Sequence, residues 1–336
     1  MRDINLIIAG FGVIGRGFAR VLVEKEEMIK KDYGINLKVS AICEYNGSII
    51  CDERAGIDLK DALFYAEGKR LEKHPNWTSK ASNEVIKDVA ADILVELTPG
   101  NIINGEPGLS HIISALESKK HVVTSNKAPL ALKFSELNDI AKKNNLKLKY
   151  EATVAGALPI INLYEKTLQV NKLNEIYGIL NGTTNYILSK MTYDRVDFDT
   201  ALREAQDAGF AESNPTYDIN GYDTAAKVVI LANALMNKKC IFSDVKITGI
   251  GDITQDVIEL AKKSGYVIKL IGDVLSLEVS PRLIPASHPL NVSGSLNAIY
   301  LNTDVASEIT VVGRGAGARE TASSLFSDVL SIACEI

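Results

Sequence analysis

The stretch Ile4-Asn5-Leu6-Ile7-Ile8-Ala9-Gly10-Phe11-Gly12-Val13-Ile14-Gly15 decides the fold. Its apolar first half suits a strand buried on both faces. Three glycines follow at G-x-G-x-x-G spacing, then Gly17, and Phe18, Val21 and Leu22 recur at helical spacing before charges crowd Glu24 to Lys31. Between a strand and a helix each glycine has a task. The first permits the tight turn, the second lets backbone approach a pyrophosphate, and the third lets helix pack on strand. The helix N-terminus meanwhile offers unpaired N–H groups to the phosphates. Gly10, Phe11, Gly12, Val13, Ile14 and Gly15 are therefore the predicted dinucleotide-binding loop, the alternative being a purely structural turn.

Working outward, the alternation continues. Leu37–Cys43, Asp92–Leu97, His121–Ser125 and Leu146–Glu151 read as strands, with helical stretches at Ile112–Leu116 and Glu136–Asn145. This predicts an α/β chain whose first part is a Rossmann-type doubly wound parallel sheet. The acid that holds the ribose hydroxyls is expected about 20 residues beyond the glycines. Glu44, ending the second strand, lies further on because Glu24 to Asn36 lengthens the helix. Glu44 favours NAD by repelling a 2′-phosphate, whereas Arg54 in the next loop is placed to pair with one, so NADP stays open. Thr98 and Lys127 each follow the carboxyl end of a strand, where such sheets bind ligands. Both are predicted to line the cofactor site; an exposed lysine is the plainer reading of Lys127.

At 336 residues the chain exceeds what one core usually supports, so two domains are expected. With 46% hydrophobic and 24% charged residues and a net charge of −5, it offers no general attraction to nucleic acid or an anionic membrane. No apolar run reaches the length of a membrane span, and Met1 to Leu6 enters a strand too soon for a signal peptide. Cys43, Cys51, Cys240 and Cys334 form no Cys-x-x-Cys pair, and the histidines show no metal-ligand spacing. A reducing cytoplasm without structural zinc is expected.

The pattern changes at Glu151. Glu151 to Pro159 is small and turn-prone, Asn174–Leu180 reads as a strand, and Asn181-Gly182-Thr183-Thr184-Asn185 is a polar turn opening a helix. Asp199–Gly209 is amphipathic, with Gly209 as C-cap. Then come Glu212, Asn214-Pro215, Asp218, Asn220-Gly221, Asp223 and Lys227. Asp223 begins a helix to Met236 and shares one face with Lys227, four residues on. A loop carrying Glu212 and Asp218 can fold back to that face, gathering three carboxylates and one ammonium. Such a cluster suits a substrate with an ammonium group and a reactive oxygen. The plainer alternative is a capped helix with a surface ion pair.

Ala205, Gly209-Phe210-Ala211, Asn214-Pro215, Asp218-Ile219, Gly221, Asp223 and Lys227 resemble the homoserine dehydrogenase signature in type and spacing. Thr124-Ser125-Asn126-Lys127, Tyr150 to Val154, Asn181 to Asn185, Gly313-Arg314-Gly315-Ala316-Gly317 and Thr321-Ala322 are also similar to that family, so the likeness runs from Gly10 to about Leu330. The resemblance implies reversible NAD- or NADP-dependent hydride transfer between L-aspartate 4-semialdehyde and L-homoserine, in threonine and methionine biosynthesis. It implies Lys227 as proton donor, Lys127 between nicotinamide and substrate, and Glu212, Asp218 and Asp223 as substrate-binding residues. Gly315 would approach the nicotinamide end of the cofactor. Glu151 and the carbonyls of Val154, Gly156 and Leu158 would hold a monovalent cation, Na+ or K+; a tight turn is the alternative there. Residues 1–150 with 311–336 would form the dinucleotide-binding domain, and 151–310 a second α/β (α+β) domain for substrate binding, catalysis and homodimer formation. A single-function form is expected, without aspartate kinase or regulatory domain and with little inhibition by threonine.

Two rivals carry their own signatures. An aspartate-semialdehyde dehydrogenase needs a thiolate nucleophile, yet Cys240 has no histidine near it in sequence. A non-catalytic dinucleotide sensor would have lost the proton donor or substrate acids, all of which are present.

Overall fold

Arg2–Ala9 forms strand β1, in which Leu6, Ile7, Ile8 and Ala9 are wholly buried. The computed structural model describes residues 1–51 and 55–336, so Arg54, weighed above as a partner for a 2′-phosphate, lies outside the described residues. The remaining strands of this sheet are β2 (Ile35–Glu44), β3 (Gly47–Ile50), β4 (Trp77–Thr78), β5 (Ile93–Glu96), β6 (His121–Thr124) and β7 (Leu148–Lys149). Their order is β4-β3-β2-β1-β5-β6-β7. Strands β2, β1, β5, β6 and β7 run parallel, while β3 and β4 add an antiparallel edge. The sequence reading missed that edge, because strands of two to four residues carry too little periodicity. From β1 the chain first builds outward through β2 and later through β5. The carboxyl ends of β1 and β5 are therefore the switch point at which such sheets bind ligands.

Helix Val13–Tyr33 stops at Gly34, whose φ of 67° lets its N–H donate to Lys30 O at 3.0 Å. Its inner face stacks Phe18 on Phe326 of helix Ala318–Ala333, ring centroids 4.3 Å apart. Lys127–Lys143 is helical on both sides of a kink at Lys133, where φ is −138°. The stretch expected from Glu136 follows the kink, and an added turn from Lys127 precedes it, capped by the Asn126 side chain accepting from Ala128 N. The strand expected over Leu146–Glu151 is confined to Leu148–Lys149.

The described residues divide into one unit of Met1–Thr153 with Gly317–Ile336 and another of Val154–Ala316. The return expected at residue 311 comes at Gly317: residues 311–314 are still in the last strand of the second unit, and Gly315 and Ala316 follow it there. That unit holds β8 (Leu173–Ile179), β9 (Lys246–Ile247), β10 (Tyr266–Asp273), β11 (Glu278–Pro285), β12 (Leu296–Thr303) and β13 (Glu308–Arg314). The order is β13-β12-β8-β10-β11-β9, antiparallel except for β9 beside β11. Helix Tyr222–Met236 is buried almost all round, as its Ala-Ala-Lys-Val-Val-Ile-Leu-Ala run requires.

Candidate functional site

In the first unit the glycine loop joins β1 to its helix. A side chain on Gly10 would come within 2.8 Å of the Leu97 carbonyl, and one on Gly15 within 2.2 Å of the Gly10 carbonyl oxygen. Around Gly12 nothing lies within 4 Å of an added Cβ, and the residue is exposed. Packing thus demands glycine at the first and third positions, while the middle one leaves bare backbone open at the start of the helix. Phe11 anchors the loop in the core, Ile14 is half-buried and Val13 exposed. This cradle fits the pyrophosphate of a dinucleotide. Glu44 reaches back to the loop: its Oε1 accepts from Phe11 N at 2.5 Å, which puts a carboxylate at the end of β2.

At the end of β5, Thr98 donates to the carboxylate of Glu96 through both its hydroxyl and its backbone N–H. Lys127, half-buried, is the first residue of the helix capped by Asn126. Asn126 Nδ2 in turn lies 3.4 Å from Thr98 Oγ1, so Thr98 and the start of that helix belong to one network.

The second unit holds the acids and lysine. Lys227 Nζ donates to Asp223 Oδ2 at 2.7 Å and to the Leu180 carbonyl at 2.6 Å. Both side chains are about nine-tenths buried, which removes the surface ion pair as a reading. Asn181 Nδ2 donates to Asp218 Oδ1 at 2.7 Å and Asp223 Oδ2 at 2.9 Å, while its Oδ1 caps helix Gly182–Tyr193 through Thr184 N. Gly221, with φ of 85°, turns the chain from Asp218 into the helix of Asp223 and Lys227. Burial, and then the charge of Asp223, push the Asp218 carboxyl above its ordinary range. Tyr217 beside them has its phenol raised by burial and by the same two carboxylates.

The structure thus brings Asp218, Asp223 and Lys227 together. Glu212 is exposed on the preceding loop, and among the described residues no hydrogen bond or ion pair links its side chain to the cluster. Asn181 and the Leu180 carbonyl were not singled out from the sequence as site residues. The available signal was an asparagine at a strand-to-helix junction, which reads first as a cap. Gly315 lies in the second unit, packed so closely on Asn297 that an added Cβ would stand 2.1 Å from its amide nitrogen. Of the expected cation ligands, Glu151 is buried in the first unit, and Val154, Gly156 and Leu158 lie in the second. Their donors are all oxygens, the chemistry a hard cation takes.

Residues 159–330 match the family described as homoserine dehydrogenase, and residues 10–151 match its NAD binding domain. The chain belongs to the homoserine dehydrogenase family. It is an NAD(P)-dependent oxidoreductase acting on a CH–OH group. It is 48% identical over 332 residues to a homoserine dehydrogenase of Methanocaldococcus jannaschii, covering 98% of each chain. It is 38% identical over 343 residues to an NAD(+)-dependent homoserine dehydrogenase of Pseudomonas canavaninivorans, covering 99% of this chain and 97% of that one. A solved hyperthermophilic archaeal homoserine dehydrogenase in complex with NADPH superposes with a TM-score of 0.85 at 28% identity, covering 99% of this chain and 98% of that one. Relatives of this chain thus include both a protein named for NAD and one solved with NADPH.

Proposed function

We propose that Lys227 donates the proton in the interconversion of L-aspartate 4-semialdehyde and L-homoserine. Asp218, Asp223 and Glu212 hold the substrate's ammonium group, and Lys127 stands beside the reacting carbon. The observation that carries this reading is the two-point grip on Lys227 by Asp223 and the Leu180 carbonyl. Two of its N–H bonds are committed, which fixes the direction of the third. A reduced nicotinamide dinucleotide held by the Gly10–Gly15 loop would supply the hydride for the carbonyl carbon. As negative charge develops on the carbonyl oxygen, the Lys227 ammonium stabilises it and passes it a proton; in reverse the amine takes that proton back. Crowding Asp218 against Asp223 out of water favours binding of a cation, and the substrate ammonium answers that charge.

Glu44 supports a preference for NAD, since its carboxylate stands where a 2′-phosphate would add like charge. Under the same reading the chain is a cytoplasmic homodimer in threonine and methionine biosynthesis, formed through its second unit, with a monovalent cation on Glu151 and the carbonyls of Val154, Gly156 and Leu158. Light scattering tests the dimer, a monomer at working concentration contradicting it, and activity that ignores replacement of Na+ and K+ by a bulky organic cation contradicts the ion.

The deciding experiment follows cofactor reduction by L-homoserine, run separately with NAD and NADP. Turnover is expected with both, the larger kcat/KM being with NAD. Lys227→Ala should lower kcat by about a thousandfold. Because it strands Asp223 as a buried charge, the double variant Asp223→Asn/Lys227→Met serves as the folded control and should be equally slow. Wild-type rates in either variant would contradict the assignment.

A further inference from the structure

Glu96 is wholly buried at the carboxyl end of β5, and no step of the reaction above uses it. Among the described residues, the hydrogen bonds to its side chain come from Thr98, whose N–H lies against the glycine loop, and from Thr124, three residues before Lys127. Oε1 accepts from the Thr98 hydroxyl and from Thr98 N at 3.1 Å. Thr124 Oγ1 lies 3.2 Å from Oε2 and 3.1 Å from the Glu96 carbonyl oxygen, so its one proton is shared between them, and the same hydroxyl accepts from Asn126 N at 2.9 Å. Asn126 Nδ2 closes the circuit on Thr98 Oγ1 at 3.4 Å, and Asn126 Oδ1 caps the helix that opens with Lys127. The hydrogen bonds therefore run one way, from Asn126 through two threonine hydroxyls into Glu96, Thr98 reaching Oε1 and Thr124 shared between Oε2 and the Glu96 carbonyl.

Space around this circuit is tight. A side chain on Gly108 would meet Asn126 Nδ2 at 2.5 Å and Glu96 Oε2 at 3.2 Å, and one on Gly10 would meet Thr98 N at 2.9 Å. The second contact ties Thr98 to the dinucleotide loop itself. Beside the carboxylate lies His111, 4% exposed, with Nδ1 at 3.6 Å from Oε1, beyond a hydrogen bond. A carboxylate buried this completely costs several kcal/mol unless its oxygens are matched by donors. Apolar packing would hold β5 against β6 more cheaply. What the carboxylate adds is a fixed direction for both threonines.

We propose that Glu96 is a positioning residue for hydride transfer. Its two oxygens set Thr98 and, through Thr124 and Asn126, the helix start that carries Lys127. The inference rests on the roles proposed above for Thr98 and Lys127, and it adds a residue that touches neither substrate nor cofactor. A displacement of about 1 Å in a catalytic group slows reaction by up to about a hundredfold, so the circuit acts on kcat rather than on substrate affinity.

The test compares Thr124→Val, which removes the hydroxyl at nearly constant shape, with Thr124→Ser, which keeps it, alongside Glu96→Gln. Thr124→Val and Glu96→Gln should lower kcat by about tenfold or more with KM for L-homoserine changed less than about threefold. The deuterium isotope effect on kcat with homoserine labelled at the reacting carbon should rise, because hydride transfer becomes the slow step. Thr124→Ser should restore both quantities. Lowered melting temperatures with unchanged kcat and isotope effect in Thr124→Val and Glu96→Gln would overturn the proposal, leaving Glu96 a packing residue. Lys127→Ala separates this from the wider reading: a fully active Lys127→Ala removes the assignment of Lys127, while the isotope effect in Thr124→Val still decides whether Glu96 positions the site.

Discussion

Asp218 shows how much one residue's setting decides. Its carboxyl is raised above the ordinary 3.8, first by burial and then by the charge of Asp223, against the hydrogen bond from Asn181. The folded value lies above the unfolded one, so ionising Asp218 costs stability as pH rises through that window. A bound ammonium offsets this cost. The acid limb of kcat/KM for L-homoserine should therefore fall at a higher pH than an ordinary aspartate gives, and Asp218→Asn should abolish that limb while raising KM. An unshifted limb in the variant, followed by initial rates across pH, would assign the titration to another group. Spacing placed Asp223 and Lys227 on one helix face, but only burial distinguishes their pair from the many exposed ones worth a few tenths of a kcal/mol.

Among the elements, the β1 loop and its helix were the most legible. Glycine at positions 10 and 15 answers specific collisions, with the Leu97 carbonyl and with the Gly10 carbonyl oxygen. Gly15→Ala should force strand and helix apart. Fluorescence titration with reduced cofactor should show Kd raised by more than about tenfold, with a melting temperature lower by several degrees. Gly12→Ala, with open space around its Cβ, should keep the wild-type melting temperature and lose only affinity. Equal loss of stability in both variants would contradict the division of roles. The helical span Lys127–Lys143 was harder to delimit, since its start depends on the Asn126 cap and its middle is kinked at Lys133.

For the molecule as a whole, the pH dependence of stability should carry the mark of Lys269. This lysine is buried in β10 of the second unit and donates to Asn185 Oδ1 at 2.8 Å, Ser189 Oγ at 3.1 Å and the Val292 carbonyl at 2.7 Å. All three acceptors are neutral, so burial lowers its pKa from 10.5 to about 8. Between those values the unfolded chain binds the extra proton, and stability rises with pH by at most about 1.4 kcal/mol per unit from this group. Thermal melts from pH 7 to 11 should show that rising contribution as the difference between wild type and Lys269→Met. Parallel curves for the two proteins would remove Lys269 as its source.

What the sequence by itself determined were the features written in local pattern. These are the alternation of strand and helix, the glycines of the dinucleotide loop, and the order of acids and lysine that marks the family. Such signals lie within one or two elements and need no knowledge of what packs against them. Tertiary structure alone decided that Asn181, on another segment, bridges Asp218 and Asp223, that among the described residues Glu212 stands outside their network, and that Thr124 and Asn126 meet Glu96 and Thr98. These depend on contacts between residues far apart in the chain, where desolvation sets the worth of each charge and hydrogen bond. The opening run from Ile4 to Gly15 therefore announces a cofactor loop, but the polar circuit beneath that loop is fixed only when β5 and β6 lie side by side.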